Sequence, residues 1–149
     1  MADNIRAEAK KYLVFKIGDE EYGVDIRRIT TIIEKDMEIA RVPKLPVFIK
    51  GVINLRGDII PVISLRLKFG LSEDVYDSET RIIIVGLDEI SAGLIVDSVA
   101  EVIELDDDSI ESITNIAGDF PLDYIAGVGK AEGKIVTLLN LEKLISLGE

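Results

Sequence analysis

The two halves of this 149-residue chain repeat each other, which restricts the fold to a pair of similar units. YLVFKIGDEEYGVDIRRITTIIE at 12–34 aligns without a gap to IIIVGLDEISAGLIVDSVAEVIE at 82–104. Gly23 and Gly93, and likewise Glu34 and Glu104, are 70 residues apart. Apolar residues coincide at Val24/Leu94, Ile26/Val96, Ile29/Val99, Ile32/Val102 and Ile33/Ile103. A second block, Phe48 to Leu65, aligns to Tyr124 to Leu141 at an offset of 76, pairing Gly51 with Gly127, Gly57 with Gly133 and Ser64 with Asn140. The six extra residues fall between the two blocks of the second copy, at a loop expected over 115–123.

Within each copy the apolar residues alternate at strand period. Leu13, Phe15 and Ile17 open a strand, a turn follows at Gly18–Glu21, and Tyr22 to Ile26 returns as the partner of a hairpin. Arg27-Arg28 breaks the pattern, and Thr30 to Glu34 reads as a third, β-branched strand. Gly51–Leu55 and Ile59–Ile63 flank Arg56-Gly57-Asp58, a tight turn in which Gly57 supplies a positive φ. Ser64 is placed to cap a short helical turn that ends near Gly70. The second copy repeats the plan with strands at 81–87, 92–96, 99–104, 124–130 and 134–139, and with Asn140 capping a helix over Leu141–Leu147. Asp108 and Glu111 have capping-box spacing before another short helical stretch. Five short strands per copy, closed by tight glycine turns, predict an all-β fold of two small tandem barrels with a short C-terminal helix. Closure removes the sheet edges that so many β-branched residues would otherwise expose.

Composition narrows the chemistry. The chain has no histidine, which removes the commonest general base and metal ligand, and no cysteine, which removes thiolate chemistry and disulfides. A net charge of −11 and 5% aromatic content argue against nucleic-acid binding, and the same sign disfavours anionic membranes. The polar start MADNIRAEAKKY lacks a signal-peptide core, so a cytoplasmic protein without direct membrane contact is expected. GVGKAEGKI at 127–135 is not a phosphate loop: Val128 stands where the first glycine belongs, Ile135 where the magnesium hydroxyl belongs, and a strand follows. Asp106-Asp107-Asp108 points three carboxylates in different directions without the glycine bend of a calcium loop. No acid–base pair is visible, and neither an enzyme activity nor a cofactor is expected.

Arg56 stands apart. Its repeat partner is Glu132, so the fold does not demand arginine there. It is either a solvated turn residue, paired or not with Glu34 or Asp58, or an interface anchor of the kind arginine often provides. The third strand raises a related question: both of its alternating faces carry apolar residues, among them Ile29, Ile32 and Ile33, so some belong to core and others to an exposed groove.

At YLVFKIGDEEYGVDI (12–26), PVFIKGVINLRGDIIPVISLRLKFG (46–70), GLIVDSV (93–99), the Gly-Val-Gly hairpin and NLEKLI (140–145), the chain resembles the CheW family of bacterial chemotaxis coupling proteins, from about residue 10 to the end. The resemblance implies a single CheW-like domain over 1–149, built as two tandem SH3-like five-stranded β-barrels packed around a shared apolar core. It has a first barrel half at 11–70 and a second at 80–149, each able to exchange a terminal segment with the other. It implies a non-enzymatic adaptor, without cofactor, that links the histidine kinase CheA, through its regulatory domain, to the cytoplasmic tips of methyl-accepting chemoreceptors. It places the protein in the cytoplasm, recruited to membrane-associated receptor arrays. By the same resemblance the receptor-facing residues are Asn54, Arg56 and Gly57 of the NLRG motif, Ile29 and Ile33 beside it, and Val99 and Val102 on the equivalent strand of the second copy. The kinase contact falls near Ile39, Val42, Pro43 and Phe48. Thr31 stands where the family often has a glutamate, so an ion pair from Arg56 to that position is not expected, with Glu34 or Asp58 as substitutes. With 149 residues, no fused receiver domain is expected after the second barrel.

Overall fold

A computed structural model describes residues 9–34, 38–112 and 124–145. The expected lead-in over residues 1–8 and the expected loop over 115–123 lie outside them. Among the described residues eleven strands run in chain order: β1 (Lys10–Ile17), β2 (Glu20–Asp25), β3 (Ile29–Glu34), β4 (Ile49–Leu55), β5 (Asp58–Ser64), β6 (Arg81–Leu87), β7 (Ile90–Val96), β8 (Ser98–Leu105), β9 (Ile110–Glu111), β10 (Ile125–Ala131) and β11 (Lys134–Leu139). Two single-turn helices, α1 (Leu65–Lys68) and α2 (Leu141–Leu144), follow the second hairpin of each copy. The strands form the two modules of the expected all-β fold, a six-stranded sheet ordered β8-β1-β2-β11-β10-β9 and a five-stranded sheet ordered β3-β6-β7-β5-β4.

The repeat copies interleave. The first hairpin of copy one, β1–β2, is flanked on both sides by strands of copy two, and the first hairpin of copy two, β6–β7, is flanked by strands of copy one. The joins are repeat-related. Gly23 of β2 runs parallel to Leu138 of β11, and Gly93 of β7 runs parallel to Val62 of β5. The two glycines have the same cause: a Cβ at either would come within 2.9 Å of a side chain in its own sheet, Leu138 at Gly23 and Ile82 at Gly93.

Alternation then divides the apolar residues among three clusters. One face of β1, β6 and β7 (Phe15, Ile17, Ile83, Val85, Leu94, Val96) joins Ile63, Leu139 and Leu144 in a core shared by both sheets. The opposite faces fill each module separately, with Ile53, Val62, Ile82, Ile84 and Ile95 in one and Tyr12, Val14, Leu105, Val136 and Leu138 in the other. Strands buried on both faces read as continuous apolar runs, which is why 82–85 is Ile-Ile-Ile-Val. An aromatic ladder crosses the shared core from Phe15 through Tyr22 and Phe69 to Tyr124, with centroid spacings of 6.0, 5.2 and 6.3 Å.

The caps follow the repeat too. The Ser64 hydroxyl accepts from Leu67 N–H at 3.2 Å, and the Asn140 side chain accepts from Lys143 N–H at 3.2 Å. The helix expected over Leu141–Leu147 is described as Leu141–Leu144; residues 146–149 lie outside the described chain. The capping box at Asp108/Glu111 does not form. Asp106 caps instead, accepting from Ser109 N–H at 3.1 Å, and the single 3-10 turn at Asp107–Ser109 runs directly into β9. Asp106 wins because its extended backbone faces its side chain toward the turn's free N–H groups.

A core drawn from both sheets predicts one cooperative unfolding transition. Leu94→Ala should cost about 2–5 kcal/mol and lower the melting temperature without splitting that transition. Two resolved transitions in calorimetry would contradict a shared core.

Candidate docking groove

The third strand of each copy carries the residues expected to line a groove, and a β-bulge decides which way they face. β3 pairs with β6 with a register shift that leaves Thr30 unpaired, and β8 pairs with β1 with a shift that leaves Ala100 unpaired. Thr30 and Ala100 are repeat mates, so the bulge is built into the duplication. A bulge adds one residue to one strand and reverses the side-chain alternation beyond it. Ile29 therefore packs on the shared core while Ile33, four residues on, packs on the five-stranded module's core. Val99 and Ile103 divide in the same way between the shared core and the six-stranded module. This resolves the two-sided apolar pattern of the third strand: most of it is core, on two different faces.

The outward apolar residues are Ile32 and Val102, which are 39% and 53% exposed and occupy equivalent positions in the repeat. The family resemblance put Val102 on the receptor face without Ile32, which the third-strand pattern had left open between core and groove, although the offset of 70 links the two. Val102 stands between exposed Glu101 and half-buried Ile103, and Glu101 is tied to Lys134 at 2.7 Å. At the start of β8 an open hollow of about 390 Å³ is lined by Lys16, Ser98, Val99 and Ala100 on the β1/β8 side and by Glu79 and Arg81 on the other.

Asn54, Arg56 and Gly57 form the β4–β5 tip. Arg56 and Gly57 have φ of 56° and 93°, the positive pair that a type I′ hairpin turn requires, and Glu132 and Gly133 repeat it at 52° and 79°. The Asn54 side chain accepts from Gly57 N–H at 3.0 Å and so holds the turn. The Arg56 side chain is exposed, and among the described residues it has neither a hydrogen bond nor an ion pair, so the pairing with Glu34 or Asp58 is not seen. The backbone uses a left-handed residue at 56; it does not use the guanidinium.

At the other end of the five-stranded module, Val42 and Pro43 are exposed, next to Leu45 and Val47, which are exposed too. Ile39 packs inward on that module's core, where Ala40 exchanges backbone hydrogen bonds with Val52. Phe48 packs on the shared core, and the Lys68 ammonium lies 3.8 Å from its ring centroid. Of the four residues assigned to this end, only Val42 and Pro43 are open.

Asp97 joins the modules between β7 and β8. Its carboxylate accepts from Gly18 N–H at 2.8 Å and from two guanidinium nitrogens of Arg66 at 2.9 and 2.6 Å. Its own N–H donates to Lys16 O at 3.0 Å. Partial burial opposes the charge, but the hydrogen bonds from Arg66 and Gly18 outweigh it and hold the carboxyl below its ordinary value. Nearby Asp74 is shifted the other way: burial raises its carboxyl even though the Ser64 hydroxyl donates to it at 2.6 Å.

Among the described residues no group of histidine, cysteine, aspartate and glutamate is arranged to hold a metal, and no helix is long and apolar enough to cross a membrane. A family profile described as "CheW-like domain" matches residues 11–149. The chain belongs to the CheW-like family. It is 36% identical to a chemotaxis protein CheW of Klebsiella aerogenes over 140 residues, covering 94% of this chain and 84% of that one. It is 41% identical to a CheW of Bacillus subtilis over 136 residues, covering 91% and 86%. The crystal structure of a scaffolding protein, TtCheW from Thermoanaerobacter tengcongensis, superposes with a TM-score of 0.86 at 38% identity and 94% coverage of both chains. The CheW-like duplication of β-modules is thus the architecture of a chemotaxis scaffold.

Two predictions follow from the geometry. Asn54→Ala should destabilise the fold by about 1 kcal/mol, the worth of one hydrogen bond, whereas Arg56→Glu should stay within about 0.5 kcal/mol of the parent, both read by denaturant unfolding. Because the Asp97 carboxyl is held low in the folded state, its stabilising contribution is present above the unfolded-state value and is lost as pH falls through the folded one. Asp97→Asn should therefore flatten the acid side of the stability–pH curve; an unchanged slope would show that the Asp97 carboxyl titrates alike in the folded and unfolded states.

Proposed function

We propose that this chain is a non-enzymatic adaptor that couples the chemotaxis histidine kinase CheA to methyl-accepting chemoreceptors. The observation that carries the reading is the repeat-related pair of third strands, each with its bulge, its core-rim residue (Ile29, Val99) and its outward apolar residue (Ile32, Val102). Membership of a family whose relatives are named chemotaxis and scaffolding proteins points the same way. A receptor-tip helix lays its apolar stripe between the modules, against Val99 and Val102, with Ile29 and Ile33 supporting the opposite wall. Arg56, held out on the Asn54–Gly57 turn and free of partners within the described chain, supplies a charged anchor to a partner carboxylate. The kinase regulatory domain meets the exposed apolar loop at Val42 and Pro43, with Ile39 and Phe48 as its support from below.

In this reading the protein makes and breaks no covalent bond and needs no cofactor. It works in the cytoplasm beneath membrane-bound receptor arrays. Modest single contacts suffice there, because many copies held together raise the effective concentration. Signalling requires only that receptor states differ in their affinity for the scaffold.

The test is a two-partner binding assay with a receptor cytoplasmic fragment and the CheA regulatory domain. Arg56→Glu and Val102→Glu should each weaken receptor binding about tenfold or more while the melting curve stays put. Val99→Asp should weaken binding as well but, because Val99 packs on the shared core, should also lower stability. Val42→Asp should weaken only the kinase contact. Wild-type receptor binding by Arg56→Glu and Val102→Glu would place the receptor elsewhere, and binding of neither partner by the parent chain would end the adaptor reading.

A further inference from the structure

The two crossings between the sheets are repeat-related, yet only one is clasped. At the first, Ile26–Arg28 forms a 3-10 turn leading from β2 to β3; at the second, Asp97 alone separates β7 from β8. The repeat mate of Asp97 is Arg27, and the mate of its partner Arg66 is Glu142, so the charges at the first crossing are reversed. They do not meet across it. The Arg27 guanidinium folds back onto Asp25, two residues away, at 2.7 Å and is 70% exposed. Among the described residues the fold therefore closes one crossing with no ion pair between modules, and the Asp97 clasp is something the architecture does not require.

The clasped crossing is the one that borders the hollow. Lys16, whose carbonyl takes the Asp97 N–H, lines it, and Ser98, Val99 and Ala100 follow Asp97 directly. The carboxylate reaches the Gly18 turn of the six-stranded sheet and Arg66 of α1, which continues β5 of the five-stranded sheet. Glu79 and Arg81, the other wall of the hollow, lead into β6 of that second sheet. One side chain thus ties the turn after β1, which carries one wall, to α1, which packs on β7, the strand whose Val96 pairs with Arg81 of the other wall.

We propose that Asp97 is a positioning residue for the docking groove: through Gly18 and Arg66 it holds the Ser98–Val99–Ala100 wall at a set distance from the Glu79–Arg81 wall. Groove width, and with it affinity for a helix that touches both walls, depends on this clasp, whereas a partner seated on one module does not sense it. The consequence for affinity rests on the receptor-groove reading; the geometric claim does not.

The chain has no cysteine, so spin labels can be placed at will. Labels at Glu79→Cys and Ala100→Cys, both exposed, report the wall-to-wall distance by pulsed dipolar spectroscopy. The parent should give one narrow distribution. Asp97→Ala should broaden or shift it, and Asp97→Asn, which still accepts from Gly18 N–H but loses the charge, should fall between. Receptor-fragment binding should weaken about tenfold in Asp97→Ala, the order that loss of a charge-assisted hydrogen bond brings, with kinase-domain binding unchanged. A lowered melting temperature with the parent's distance distribution in both variants would overturn the proposal and leave Asp97 a stabilising residue only. Should Asp97→Ala not fold, Asp97→Asn decides alone. A changed distance with no receptor binding even by the parent would sink the receptor reading and keep the clasp.

Discussion

Burial on both faces of two exchanged hairpins is the constraint from which the rest of this structure follows. β1–β2 and β6–β7 each present one apolar face to their own module and the other to the shared core. Neither hairpin can be solvated without exposing residues such as Phe15 or Leu94, each of which contributes about 1.5–3 kcal/mol by leaving water. The exchange therefore locks the two copies into one body, although each sheet alone has the strand count of a small independent barrel. Rigidity of that kind is what a scaffold needs, because two docking faces transmit information only if their mutual geometry is kept.

The bulges decide which apolar side chains that body leaves facing outward. A regular third strand would place Ile29 and Ile33 on one face. The extra residue at Thr30, and at Ala100 in the second copy, sends one apolar side chain to the shared core and the next to the module core. Ile32 and Val102 are left facing outward beside the seam. Repeat-matched bulges also sit at Lys50 and Ala126 in the second hairpins, so irregularity here is inherited with the fold and is not local noise.

The divergences between copies are as informative as the matches. Equivalent turns carry Arg56 and Glu132 on the same left-handed backbone, and equivalent crossings carry Asp97 with Arg66 and Arg27 with Glu142. Backbone geometry and apolar packing are held in common by both copies. The charged residues differ, and they differ at the tips and crossings, outside the three apolar clusters that the copies build in common.

Much of this was legible in residues 12–34 and 82–104 before any coordinates. Period-two alternation identified the strands, and Ser64 and Asn140 announced their caps, because each of these depends on neighbours within a few residues. The sequence by itself also excluded whole chemistries, since a chain without histidine or cysteine cannot place those groups anywhere. Only the tertiary structure decided which hairpin enters which sheet, that Asp106 and not Asp108 caps its turn, that Phe48 is covered by Lys68, and that Ile32 is the exposed counterpart of Val102. Those outcomes turn on pairing register and on contacts between residues tens of positions apart, and a single bulge reverses which face a side chain takes without leaving any mark in the composition of its strand.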